Sequence, residues 1–280
     1  MTGAEPEVAG HAAEQTGASF DAGGMIMHHI LDAREIEIPF TGVVVHLPKI
    51  EIAGYDLSIT RAVVMMWIAC LILVFLLGLA ARRAKEEVPR GLRSALEILI
   101  LFVRDEIGRK SIGPKADGVV GYLLTTFFFI LACNLLGLVP GMSTATGNIS
   151  VTAGLAVVAF VMIHTGGIRE YGVFGHFRNL VPHGVPLWLV PIMLLVELLS
   201  MVIKPFALCI RLFANMMAGH VVILALISLV FILKIVWVAP LSVLFALFIN
   251  LLEILVAFIQ AYIFTMLTAQ FIGMAVHPAH

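Results

Sequence analysis

The sequence KPFALCIRLFAN, residues 204–215, places Arg211 inside an apolar run that extends from residue 187 to residue 234. An arginine side chain keeps its charge inside a protein. Its insertion at membrane depth costs about 2.5–3.5 kcal/mol on insertion scales. A membrane protein tolerates this cost only where the charge faces a partner, a cavity or a moving ion. The guanidinium of Arg211 is therefore the first candidate for a functional group.

The composition predicts a protein that crosses a membrane several times as α-helices. The chain has 280 residues, of which 61% are hydrophobic and 12% are charged, whereas soluble domains carry roughly 25% charged residues. A net charge of −1 gives no indication of nucleic-acid binding. The three cysteines do not show the spacing of metal ligands, so we expect neither a metal nor a cofactor.

The first 60 residues differ from the remainder of the chain. Residues 1–24 are polar, and we expect a disordered tail there. Residues 25–60 combine short alternating apolar runs with Pro and Gly, which favours an extended or loop segment outside the bilayer. The membrane domain is expected over residues 61–280.

Three apolar stretches have the length of a membrane span: 62–81, about 119–139, and about 150–166, the last ending at a Gly-Gly pair. Residues 82–117 carry nine of the 17 Lys and Arg residues, so the positive-inside rule places this segment in the cytoplasm and the N-terminus outside. Apolar residues recur there at helical spacing, which predicts an amphipathic helix on the membrane surface. These residues are Leu92, Leu96, Leu99, Ile100 and Val103.

The segment 187–234 is longer than one ordinary span. A continuous helix of this length would extend about 70 Å, whereas the hydrocarbon core is about 30 Å thick. Either Pro205 divides the segment into two spans, or one helix crosses the membrane at a steep tilt. A second long apolar stretch, 238–275, follows. With a single first crossing the total is five, and the C-terminus is cytoplasmic.

Polar residues recur on one face of each long stretch. Glu197, Lys204 and Arg211 are spaced by seven residues, close to two helical turns, and Asn215 follows one turn later. In the second stretch, Asn250, Glu253 and Gln260 share a face.

An antiparallel hairpin with Arg211 beside Gln260 would place His220 within one turn of Glu253. The first pair would then lie mid-membrane and the second toward the outside, with Glu197 toward the cytoplasm. Because His220 and Glu253 both titrate, their contact could pass protons from an outer pocket, while Glu197 could serve an inner pocket. The fixed charge of Arg211 would separate the two half-paths.

These residues resemble subunit a of F-type ATP synthases. The resemblance covers roughly residues 90–275 and rests on residues 204–220, on NLLGLVP at residues 134–140, and on Glu253 with Gln260. It implies an all-α fold of about five membrane-penetrating helices plus a surface helix, with a tilted hairpin over 187–275. It also implies a non-catalytic stator subunit in a bacterial inner membrane. The implied partners are a c-subunit ring, the b-subunit peripheral stalk, the rest of the synthase and membrane lipid.

The resemblance also implies roles for individual residues. The essential arginine of the family corresponds to Arg211, which would separate two offset half-channels that lead protons to and from carboxylates of the ring. The other implied pathway residues are Glu197, Asn215, His220, Glu253 and Gln260. Lys204, Asn134 and Asn250 are further candidates, either in the pathway or in the structure.

Two other function classes remain to be weighed. A stand-alone secondary transporter would usually contain an internal repeat and interrupted helices, and we find no repeat between the halves. A purely structural membrane scaffold would leave Arg211 unexplained. The acid–histidine pair favours H⁺ over Na⁺ as the transported ion.

Overall fold

The computed structural model describes residues 35–37, 44–46, 48, 51–52, 55–56, 58–82, 91–139, 142–178, 186, 188–233 and 239–277. The expected disordered tail at 1–24 lies outside these residues. Two short antiparallel hairpins precede the helices. Strand β1 (Glu35–Glu37) pairs with β2 (Val44–His46), and β3 (Glu51–Ile52) pairs with β4 (Tyr55–Asp56). The location of this segment outside the bilayer stays a prediction.

The rest of the described chain is mostly helical. The main helices are α1 (Arg61–Arg82), α2 (Leu92–Leu101), α3 (Val120–Gly137), α4 (Ile149–Arg178), α5 (Val190–Leu233) and α6 (Ala239–Val276). Five of them, all except α2, are long and apolar enough to cross a membrane. The fold class predicted from the sequence, with a long helix hairpin at its C-terminal end, is confirmed.

Helix α2 is the predicted amphipathic helix. Its backbone continues into a wider π-helix at Phe102–Arg109, a turn at Lys110–Ile112 and a 3₁₀ segment at Gly113–Gly118. On the predicted apolar face, Leu96 and Val103 are buried, and Leu99 and Ile100 pack against the same core. This face therefore packs against the other helices of the protein.

Helix α5 passes through Pro205 without a break and contains 44 residues. A proline inside a helix removes one backbone hydrogen bond and commonly kinks or breaks the helix. Here Pro205 is buried within the helix bundle. Of the two alternatives for the long segment, the single helix is correct. At 1.5 Å per residue it extends about 66 Å, which requires a steep tilt for a single crossing.

The predicted end of the third span at the Gly166–Gly167 pair was wrong, because α4 continues to Arg178. The chain direction changes later, at Gly172, where φ is +70°. The glycine pair serves close helix packing instead. A Cβ atom added at Gly166 would lie 3.4 Å from Ile272 and 3.5 Å from Val276 on α6. The small residue lets α6 approach the backbone of α4.

The main core lies where α3, α4, α5 and α6 meet. Its largest fully buried apolar side chains include Leu123, Ile130, Leu212, Phe264 and Ile272. A smaller cluster joins α1 to α3. The core thus holds the α5–α6 hairpin on one side and leaves much of its other side exposed, with large apolar residues on it.

We predict that Gly273→Ala destabilises the protein by about 1–3 kcal/mol through overpacking. A Cβ atom at Gly273 would collide with the main-chain carbonyl oxygen of Ser111, which belongs to the helical turn Lys110–Ile112. The measurement is the thermal unfolding midpoint in detergent. Gly78→Ala in α1 is the matched control, since a Cβ there meets nothing within 4 Å. Equal midpoints for the two variants would contradict the packing described here.

Candidate functional site

A histidine and a glutamate meet between the two long helices. The Nδ1 atom of His220 on α5 lies 3.6 Å from Oε1 of Glu253 on α6. The Nε2 atom of His220 lies 3.0 Å from the main-chain oxygen of Gly137. Because a carbonyl oxygen only accepts hydrogen bonds, Nε2 must carry a hydrogen. In the neutral ring Nδ1 is then the proton-accepting nitrogen, and it faces the carboxylate.

The buried acceptors of this pair are unsatisfied. Among the described residues, neither Nδ1 of His220 nor either carboxylate oxygen of Glu253 has a hydrogen-bond partner. An unsatisfied buried acceptor costs about 1–3 kcal/mol. One proton placed between Nδ1 and Oε1 would satisfy an acceptor on each side. The arrangement is suited to holding a transferable proton.

Gly219 makes room for the glutamate. A Cβ atom at this position would collide with the carboxyl group of Glu253. The spacing of residues along the sequence gives no indication of a role for Gly219 or for the carbonyl group of Gly137. Both lie inside the motifs that carry the family resemblance, yet their contacts depend on how three helices meet, which spacing along one helix does not reveal.

A cavity of about 630 Å³ leads to the pair. His220, Asn250 and Glu253 line it from the hairpin, together with residues of the segment after α3 and with Arg61 at the start of α1. A water molecule has about 30 Å³ of liquid volume, so the cavity has room for several waters. Asn250, a candidate from the sequence, therefore lies in the same cavity as His220 and Glu253.

Asn134 has a different environment. Its Nδ2 atom donates to the main-chain oxygen of Ala257 at 3.4 Å, and its Oδ1 atom accepts from the Thr146 hydroxyl at 2.6 Å. The Thr146 hydroxyl also lies 2.9 Å from that of Thr144. These contacts join α3, α6 and the segment between α3 and α4, one turn from Glu253. They favour the structural interpretation of Asn134.

Gln260 is paired with Asn215. The Asn215 amide Nδ2 donates to Oε1 of Gln260 at 2.8 Å. This contact puts Gln260 beside Asn215, one helical turn after Arg211, whereas the supposed register put Gln260 beside Arg211 itself. The consequence drawn from that register, His220 within one turn of Glu253, agrees with the structure. Helical periodicity identifies the face of each helix, but the axial offset is set by packing. Here the close approach of Glu253 to Gly219 contributes to that offset.

Arg211 is exposed on the outer side of α5. Within the residues that the structure describes, its guanidinium makes no hydrogen bond and no ion pair. Large apolar side chains on the same two helices are also exposed, among them Val202, Phe206, Leu251 and Leu255. The chain thus presents a permanent charge on an apolar surface, and the part of the chain that the structure describes supplies no counter-charge to it.

Glu197 and Lys204 lie toward the other end of α5. Their side chains are separated by 3.8 Å and are partly exposed. The Lys204 ammonium also lies 5.4 Å from the centroid of the Phe271 ring, which is within the range of a cation–π contact. Along the helix, Glu197 is about 35 Å from His220. The structure therefore does not bring Glu197 to the histidine–glutamate pair.

We predict that His220 and Glu253 act as one unit in proton transport, the activity expected from the resemblance. Removing either residue leaves the other unpaired in a buried site. The losses from His220→Asn and Glu253→Gln should therefore be strongly non-additive in a double-mutant cycle. His277→Asn, at the exposed end of α6, is the control partner and should combine additively with Glu253→Gln. Additive losses for the His220–Glu253 pair would show that the two side chains do not cooperate.

Comparison with known proteins identifies the family. Residues 63–273 match the family model described as ATP synthase A chain. The chain is 49% identical to the ATP synthase subunit a of Chloroherpeton thalassium over 260 residues, covering 91% of this chain and 77% of that protein. It is 52% identical to the ATP synthase subunit a of Myxococcus xanthus over 229 residues, covering 80% and 75%. The chain belongs to the ATP synthase A chain family and is a membrane-embedded subunit of an ATP synthase complex.

Proposed function

We propose that this chain is the proton-conducting stator of a rotary ATP synthase, with two offset aqueous half-paths on either side of Arg211. The observation that carries the proposal is the position of Arg211. Its charge is exposed on the apolar face of the hairpin and has no partner among the described residues. A charge so placed at membrane depth requires a partner from another molecule.

A carboxylate on a rotating c-subunit ring would be such a partner. The attraction between two unit charges at about 4 Å is about 4 kcal/mol at an effective dielectric constant of 20, compared with about 1 kcal/mol in water. Arg211 would attract a ring carboxylate when it has lost its proton, and would oppose the passage of a free cation. The exposed apolar side chains of α5 and α6 would pack against the ring helices.

The outer half-path is the cavity that ends at His220 and Glu253. Protons would reach Glu253 through water, and Nδ1 of His220 would stabilise the shared proton at the carboxylate. Asn215 and Gln260 lie next along the hairpin toward Arg211 and would orient the transfer to the ring. The acid–histidine pair favours H⁺ as the ion.

The inner half-path would begin near Glu197. This residue lies about 21 Å from Arg211 along α5, on the opposite side from His220. Lys204, which pairs with Glu197, would hold the carboxylate in place and would be a positioning group. The comparisons give no support for a stand-alone transporter, the alternative considered from the sequence.

The chain would have a defined orientation in the membrane and defined partner subunits. The bacterial relatives support a location in a bacterial inner membrane. The distribution of Lys and Arg supports an outside N-terminus with residues 1–60 outside, and places residues 82–117 and the C-terminus in the cytoplasm. The c-ring, the b-subunit peripheral stalk and the rest of the synthase would be its partners. Residues 187–275 would face the ring.

We predict that Arg211→Ala abolishes ATP-driven proton pumping in vesicles while the complex still assembles. Arg211→Lys should also fail, because a compact ammonium does not reproduce the planar guanidinium fork. The measurements are dye-detected acidification of vesicles and recovery of the intact complex. Arg109→Ala is the control, since Arg109 is an exposed arginine paired with Asp105 and its loss should leave pumping near the wild-type rate. Normal pumping by either Arg211 variant would overturn the proposed function.

A further inference from the structure

A second pair of titratable side chains lies far from the outer cavity. The Nδ1 atom of His164 and the Nε2 atom of His176 are 3.0 Å apart, and the two rings meet nearly edge to face. Both residues belong to α4. The change in chain direction at Gly172, where φ is +70°, brings His176 back toward His164. Residues twelve apart in sequence thereby form one hydrogen-bonded pair.

The local backbone is shaped to accept the second ring. A Cβ atom added at Gly167 would collide with the ring of His176. The Phe160 ring packs edge-on against His164, with centroids 4.2 Å apart. The pair is thus held from both sides, and neither ring is a freely moving surface group.

The pair opens onto a cavity of about 510 Å³ between α4 and α5. Its only side-chain polar groups among the described lining residues are those of His164, Thr165 and His176. Leu198 and Met201 line it from α5 and lie one and four residues after Glu197. His164 is about 22 Å along α4 from Ile149, the end next to the outer cavity. The second cavity therefore lies on the Glu197 side of the hairpin.

Two linked imidazoles can hold one extra proton between them. A neutral imidazole has one donor and one acceptor nitrogen, so one ring donates to the other. Binding of a proton from water converts the neutral pair to a singly charged pair, and its release restores the neutral pair. Histidine exchanges protons between about pH 5 and 8. Among the described residues, charged or titratable groups toward this end of the surrounding elements include Glu197 and Lys204 on α5, Arg169, Glu170 and Tyr171 on α4, and His277 just after α6.

The geometry limits the charge of the pair. Two protons would place two positive rings with ring nitrogens only 3.0 Å apart, where like charges repel. One shared proton is therefore the charge that the site accommodates. Glu197 is the acid on α5 that directly precedes Leu198, a lining residue of the cavity.

We propose that His164 and His176 form a proton-holding pair that collects protons from the cytoplasm and exchanges them with Glu197 in the inner half-path. This inference rests on the proposed stator function and adds two residues to it. The pair supplies protons when they are dilute in the cytoplasm, and it accepts protons that leave toward that side.

The test is ATP-driven pumping by the intact complex in inverted vesicles, whose cytoplasmic face is outward. His164→Gln and His176→Gln each keep a side chain that can form a hydrogen bond. We expect near wild-type pumping at about pH 6 outside, where bulk protons are plentiful. We expect a severalfold loss at about pH 7.5, where bulk protons are dilute but histidine still exchanges them. A change in the pH inside the vesicles should leave the ratio of variant to wild-type pumping rates unchanged. His277→Gln is the control and should follow the wild-type profile at every external pH.

Other results would overturn either the proton-holding role of the histidine pair or the stator function itself. An unchanged profile, or the same fractional loss at every external pH, overturns the proton-holding role, since a structural pair would give no pH-dependent loss. A variant that does not assemble is replaced by the variant at the other position, and failure of both shows a structural requirement and overturns the proposal. If the wild type does not pump, the stator function itself fails. If the wild type pumps and the variants show the same pH profile as the wild type, only the proposed role of the histidine pair is refuted, and the stator function stands.

Discussion

The rest of the structure depends on one constraint: a guanidinium that keeps its charge lies on an apolar surface, and no described residue of its own chain supplies a counter-charge. Arg211 is exposed on α5, while Leu212 beside it is fully buried in the core. The core fixes the helix, and the helix fixes the direction of the charge. In water this surface would be unfavourable. In a membrane, beside the proposed ring of helices that carry carboxylates, it would become a binding surface.

The polar groups on the other side of the hairpin are buried inside the protein, whereas Arg211 is exposed. Glu253 is buried, and its position depends on the absence of a side chain at Gly219. The hydrogen bond from His220 to the oxygen of Gly137 sets which ring nitrogen faces that carboxylate. The result is a buried pair with unsatisfied acceptors next to a cavity, which is costly for stability and useful for moving a proton. Stability and function compete at this point of the fold.

Much of the fold could be predicted because apolar length and periodicity are local properties of the sequence. They gave the five spanning helices, the buried face with Leu96 and Val103, and the neighbouring His220 and Glu253. These local properties did not predict the features that depend on packing between helices. The Gly166–Gly167 pair, predicted to end a span, instead allows close approach of α6, and Gln260 contacts Asn215, one turn after Arg211. The His164–His176 contact could not be predicted, because it depends on the backbone at Gly172.

The separation of the two half-paths is tested most directly by single cysteines in the assembled complex. Cys70, Cys133 and Cys209 are first replaced by Ser, and a water-soluble thiol reagent is then added from one side at a time, since the reactive thiolate needs water nearby. The account predicts that His220→Cys and Glu253→Cys react from the periplasmic side and that Glu197→Cys reacts from the cytoplasmic side. Reaction of all three positions from the same side would mean one continuous pore and would contradict the account.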